Sequence, residues 1–226
     1  MRQNVKITKR DLRQDKFTTN MLLAKDYIYS NWIYFAAGAA VIILIIAGMT
    51  FLQQDSKRKD REAIDIYNRA QSQYLNRSFQ LAIVDYQLIL EDYGSTSVAP
   101  QAAFELANAY FGDRNFAEAQ AAFERYLDEY EGRDKYMTTS AMAGIAECKA
   151  GQGDQAAAAD MYRAAAEKYP DFGLTPAYYY QAMNYYIKSG NLESARVIYA
   201  KLAKDFSDSQ SYRTAGRLAA EHGIVL

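Results

Sequence analysis

The chain has 226 residues, half of them apolar, which is enough for one or two domains with a real hydrophobic core. Its charge is unevenly placed: residues 1–54 carry seven Lys/Arg against three Asp, and residues 55–226 carry nineteen Lys/Arg against twenty-four Asp/Glu, so a tail of +4 precedes a body of −5. A body without basic excess leaves nucleic-acid binding without electrostatic support, and the single cysteine, Cys148, excludes an internal disulfide and any CxxC redox or zinc motif.

Residues 1–31 form the basic tail. Thr8 with Asp11 three residues later resembles a capping box, and Leu12, Met21, Leu22 and Ile28 supply scattered apolar positions. A short amphipathic helix at a membrane interface and a solvated basic tail both fit this pattern. Between Asp26 and Asp55 no residue is charged, and Ile33 to Leu52 is an almost unbroken apolar run of twenty residues. At about 1.5 Å per residue the run makes roughly 30 Å of helix, the thickness of a bilayer's hydrocarbon core. It is longer than the about 7 to 15 apolar residues of a secretory signal, and no good small-x-small cleavage pair follows it. The expectation is a retained transmembrane helix over residues 32–53, with Tyr27, Tyr29, Trp32 and Tyr34 as interfacial aromatics at its first end. Charge alone leaves its orientation open: the tail holds seven basic residues, but only Arg13, Lys16 and Lys25 lie close to the span, against Lys57, Arg58, Lys59, Arg61 and Arg69 beyond it.

From Gly48 to Gly94 the sequence has neither Pro nor Gly, and Ile64, Tyr67, Ala70 and Tyr74 continue one helical face. The spacing predicts a membrane helix running into the first repeat as a stalk. Beyond it the chain is self-similar. A small residue with an aromatic four positions later recurs as Ala82 and Tyr86, Ala119 and Phe123, Ala158 and Tyr162, Ala195 and Tyr199, in steps of 37, 39 and 37 residues. Twelve positions before each stands Ala70, Ala107, Ala146 or Met183, on a preceding helix. The turn signals GDRN, GQGD and SGN separate paired helices, with glycine as the expected left-handed residue.

These features resemble tetratricopeptide repeats, most closely in residues 139–170, where Ala146, "GQGDQAAAADMYRAAAEKYP" and the closing Pro170 follow the family pattern. Loops ending in "DY", "EY", "KYPD" and "DF" resemble those of bacterial envelope proteins of the β-barrel assembly and Tol systems. With one span and a basic tail added, the chain resembles the single-pass family that includes the ancillary periplasmic subunit of the Sec translocon. The resemblance implies an all-α protein: a transmembrane helix, then an α-solenoid of four helical hairpins at about 61–94, 98–131, 137–170 and 175–207, and a capping helix at 208–222. It implies an inner-membrane protein with a cytoplasmic tail and periplasmic repeats. The function expected is a membrane-anchored scaffold for protein–protein interactions, or alternatively a stoichiometric subunit of a larger inner-membrane complex, with Ala36 and Ala40 as a helix-packing pair.

In this architecture the first helix of each pair lines the binding groove. The residues so placed are Tyr67, Gln71 and Tyr74; Phe104, Asn108 and Phe111; Glu147; and Tyr180, Asn184 and Lys188. Their aromatic and amide character suits a peptide or protein partner. The chaperone-type carboxylate clamp is excluded, because Phe104 and Tyr180 stand where its lysine belongs. Five tyrosines within "YYYQAMNYY" (178–186) exceed what one core face holds, so some hydroxyls are expected at the surface. No cofactor, metal site or enzymatic activity is expected. His222 is the only histidine, Cys148 reads as a packed apolar residue, and Asp113, Asp154 and Asp171 sit in turns without calcium-loop spacing.

Overall fold

The computed structural model describes the backbone of residues 9–226 and the side chains from Thr18 onward; Thr8 and the side chain of Asp11, the expected capping pair, lie outside what is described. Ten helices are present among the described residues, with no strand. The chain divides into two units at Lys57/Arg58.

The first unit contains α1 (Lys9–Ser30) and the beginning of α2 (Trp32–Leu75). Asn31 separates the two helices, its side-chain amide donating to the Tyr27 carbonyl at 3.0 Å. The apolar half of α2 is long enough to cross a membrane by length and composition, and none of that stretch is buried. Leu44 is 71% exposed and Phe51 72%.

The second unit pairs the last turns of α2 with α3 (Phe79–Asp92), α4 (Ala99–Gly112) with α5 (Phe116–Tyr130), α6 (Lys135–Gly151) with α7 (Gln155–Lys168), and α8 (Thr175–Lys188) with α9 (Leu192–Asp205), and ends in α10 (Gln210–Glu221). This is an α-solenoid of tetratricopeptide-like hairpins with a terminal helix packed on α8 and α9. The pairs touch through side chains with almost no bulk: Ala70, Ala82, Ala107, Ala119, Ala146, Ala158 and Ala195 are all fully buried. With only a methyl group between them, two helices approach closely, and the aromatic one turn later fills the space toward the next pair. Thus the Phe123 ring of α5 lies against Gly144 of α6 in the next pair, where an added Cβ would be 2.5 Å from it. At the first pair, the Arg69 guanidinium grips the buried Asp85 carboxylate with both oxygens, Nε to Oδ2 at 2.7 Å and Nη2 to Oδ1 at 2.6 Å.

The turns inside the pairs repeat one backbone shape. Arg77, Arg114, Gly153 and Gly190 hold positive φ at equivalent places. The sequence expectation of glycine as the left-handed residue holds for GQGD and SGN, but in GDRN Arg114 takes that conformation. Gly112 stays in the helix because of a close approach: a Cβ there would lie 2.6 Å from the Phe79 ring. Gly151 plays the same part for Phe116, whose ring would be 2.8 Å away. An aromatic opening one hairpin's second helix therefore seats on the glycine that closes the next hairpin's first helix. Asp154 and Asn191 cap α7 and α9, accepting from the amides of Ala157 and Ser194.

Gly144 is the tightest of these approaches, since a Cβ would meet the Phe123 ring at 2.5 Å while Phe123 is itself 2% exposed and pinned by Phe104. The Gly144→Ala variant is expected to lose about 1–3 kcal/mol by overpacking. Gly173→Ala, where no atom lies within 4 Å, should unfold within about 0.5 kcal/mol of the parent. Denaturant unfolding of both variants in nonionic detergent checks the pair.

Candidate functional site

The candidate surface is built by the first helices of successive pairs, α2, α4, α6 and α8. Near its beginning the last turns of α2 present Tyr67, Gln71 and Tyr74. The Gln71 amide donates to the Tyr67 hydroxyl at 3.0 Å, and Tyr74 packs edge-on against Phe79 at 5.5 Å. Across from them α4 supplies Asn108, whose amide donates to Glu105 Oε2 at 3.1 Å. Glu105 was not among the residues expected from sequence. Burial raises its carboxyl above the ordinary value, against the opposing effect of hydrogen bonds from Asn108 and Gln71. Its charge in turn helps burial raise the phenols of Tyr67, Tyr74 and Tyr86.

Phe104 departs from the expectation for groove residues. It is only 9% exposed and is wedged between Phe123 and Tyr126, with ring centroids at 5.8 and 5.6 Å, so it belongs to the core. One position out of phase on the helix separates lining from filling.

Farther along lies a cleft of about 590 Å³ that brings together three of the expected residues, Phe111 from α4, Glu147 from α6 and Lys188 from α8, with Phe116 and Tyr185. Glu147 is the centre of its polar chemistry. Its Oε1 accepts from the Tyr162 hydroxyl at 2.5 Å and from the Tyr185 hydroxyl at 3.0 Å, and Oε2 also lies 3.0 Å from Tyr185. The two tyrosine rings are stacked, 5.6 Å apart and 12° from parallel. Burial, then the Glu147 charge, pushes the Tyr185 phenol up to about 12; the same causes, with the hydrogen bond to Glu147, hold Tyr162 higher still. The Lys188 ammonium sits 4.5 Å from the centre of the Tyr185 ring. Tyr180 and Asn184 lie on the same helix, half-buried, but do not line this cleft.

In the tyrosine-rich segment packing claims most of the rings and one position stays open. Tyr178, Tyr179, Tyr185 and Tyr186 are all buried, and only Tyr180 is half-exposed. The reason is that α8 is packed by α7 on one side and by α9 and α10 on the other, so it has two core faces. Their hydroxyls reach acids at the edge of the core: Tyr186 donates to the exposed Asp160 at 2.5 Å and Tyr185 to Glu147 on the cleft wall. Periodicity could have placed Tyr185 beside Glu147 only if the packing partner of each face had been known. Cys148 is fully buried and burial pushes its thiol up to about 11. His222 closes α10 at the exposed end of the chain. No group of His, Cys, Asp and Glu among the described residues is arranged to hold a metal ion.

Because the folded protein holds Glu105 above its unfolded value of 4.5, the unfolded chain ionises first as pH rises, and stability falls as pH climbs from 4.5 through the folded value. Glu105→Gln is expected to be more stable than the parent at neutral pH, the difference fading below about pH 4.5. Denaturant midpoints measured across pH for both proteins test this directly.

Comparison with known proteins fits this architecture. The family model described as outer membrane lipoprotein (YfiO) matches residues 59–172, and a tetratricopeptide repeat model matches residues 176–209. No curated protein matches the sequence. Among solved structures, a crystal structure of nearly identical TPR-like repeats from Podosopora anserina aligns at a TM-score of 0.54 and 16% identity, covering 73% of this chain and 88% of that one, a likeness of fold alone. Such repeats are protein-interaction scaffolds rather than catalytic domains. With its hairpins matched over half its length, the chain belongs to the outer membrane lipoprotein family and is built on tetratricopeptide-type repeats.

Proposed function

We propose that this protein is a membrane-tethered scaffold of the bacterial cell envelope, whose repeats gather partner proteins at the membrane surface. The observation that carries the reading is the combination, in one chain, of a wholly exposed apolar helix and a helical-repeat surface with a cleft lined by Phe111, Phe116, Glu147, Tyr185 and Lys188. Water does not tolerate twenty consecutive exposed apolar residues, so Ile33–Leu52 calls for lipid or for other apolar helices around it. In our reading the apolar helix holds the repeats to a membrane. The basic tail lies in the cytoplasm and the repeats in the periplasm, with the inner membrane between them. Tethering raises the local concentration of the repeats toward envelope proteins, so modest contacts suffice.

A second reading, a stoichiometric subunit of one inner-membrane complex, is favoured by the small residues Ala36 and Ala40, one turn apart on the exposed helix, which permit close packing against another span. Gentle detergent extraction separates the two: a constant ratio to one set of proteins indicates the subunit, and a spread of substoichiometric clients the scaffold.

A photo-reactive residue at Asn184 or Lys188 is expected to capture partners in intact cells, whereas one at Arg217 on α10 captures none. The reverse pattern would move the binding surface elsewhere. A C-terminal reporter active only outside the cytoplasm should be active here, and an inactive one rejects the periplasmic placement.

A further inference from the structure

The cleft holds a carboxylate and an ammonium, Glu147 and Lys188, that do not pair directly. Glu147 accepts hydrogen bonds from two phenols, both neutral donors, and forms no ion pair among the described residues. Only Tyr185 reaches its Oε2, which leaves acceptor capacity on an atom at the cleft wall. The walls around it are rings: Tyr185, Phe111 and Phe116, the last two 5.5 Å apart. One ring face already shows what it attracts, since the exposed Lys188 lays its ammonium over Tyr185. Lys188 stands in the last turn of α8 on a flexible stem, so it can swing aside. Glu105, the other carboxylate on this surface, is likewise held by amides and has no ion pair among the described residues. The body around both carries a net charge of −5.

We propose that the cleft receives an arginine side chain of a partner polypeptide, its guanidinium charge on Glu147 and its plane against the rings of Tyr185, Phe111 and Phe116. A guanidinium fits better than an ammonium because it is flat, weakly hydrated and able to donate to a carboxylate while stacking on an aromatic face. Tyr162 and Tyr185 act as positioning residues that fix the carboxylate. An anionic partner would instead have to use Lys188 against the field of Glu147. The inference rests on the reading of this surface as the partner-binding face and names the chemistry it selects.

The test uses the full chain in nonionic detergent and three blocked tripeptides, Ala-Arg-Ala, its citrulline counterpart and Ala-Glu-Ala, titrated by calorimetry or by nuclear magnetic resonance. Citrulline keeps the shape of arginine and removes only the charge, so it needs no protein variant. The arginine peptide is expected to bind at least about tenfold more tightly than the citrulline peptide. Glu147→Gln should abolish that difference, and Lys188→Ala, which removes the cation already lying over the Tyr185 ring, should strengthen arginine binding. Equal binding of arginine and citrulline overturns the proposal, as does tighter binding of the glutamate peptide that Lys188→Ala removes. Absence of arginine binding at millimolar concentration also overturns it. If cross-links from Asn184 or Lys188 persist while arginine selectivity is absent, only the cation inference fails; if those cross-links are absent too, the assignment of the surface fails with it.

Discussion

Everything in the repeat unit depends on how closely two helices can approach when the residues between them are nearly without side chains. The buried alanines at the pair contacts, Ala70 with Ala82, Ala107 with Ala119 and Ala146 with Ala158, bring backbones together and leave each hairpin too thin to hide its own apolar faces. The next hairpin must then cover what the first exposes, and the aromatic one turn on, Tyr86, Phe123 or Tyr162, crosses the boundary. Met183 takes the alanine's place in the fourth pair and is still fully buried, so the contact tolerates a slim unbranched chain there. A stack built this way gains its stability at neighbour contacts rather than in one central core.

The same construction decides which tyrosines become chemistry and which remain packing. An alanine seam leaves gaps beside it, and aromatic side chains fill them with a polar tip that needs a partner. In the third and fourth pairs the tips converge on acids: Tyr162 and Tyr185 on Glu147, and Tyr186 on Asp160. In the second pair the corresponding space is filled by Phe104 and Phe123, with no polar tip, and the Tyr126 hydroxyl finds no partner among the described residues. The surface therefore changes character along its length, from amides and a raised carboxyl near Glu105, through phenylalanine, to the acid-phenol group at Glu147.

Much of the fold could be read from residue spacing, because the alanine and aromatic positions repeat in steps of 37, 39 and 37 and each marks a physical contact. The candidate surface was legible only in part. Phe111, Glu147 and Lys188 do meet at one cleft, but the roles of Glu105 and Tyr185 come from the neighbouring hairpin, whose rotation a single-helix pattern does not encode. Phe104 was misplaced for the same reason. The glycine roles divided along a finer line: Gly153 and Gly190 serve by φ, as turn patterns suggest, whereas Gly112, Gly144 and Gly151 serve by absence of bulk against rings from another hairpin.

Thiol exchange requires a thiolate that an oxidant can reach, and Cys148 offers neither, being sealed within α6 with its proton held tightly at neutral pH. The folded chain is thus silent toward disulfide-forming catalysts, and cannot be cross-linked to a neighbour by accident. Only a molecule whose third hairpin has opened would show a thiol to its surroundings, so the oxidising chemistry that staples other proteins would here mark the damaged copies alone.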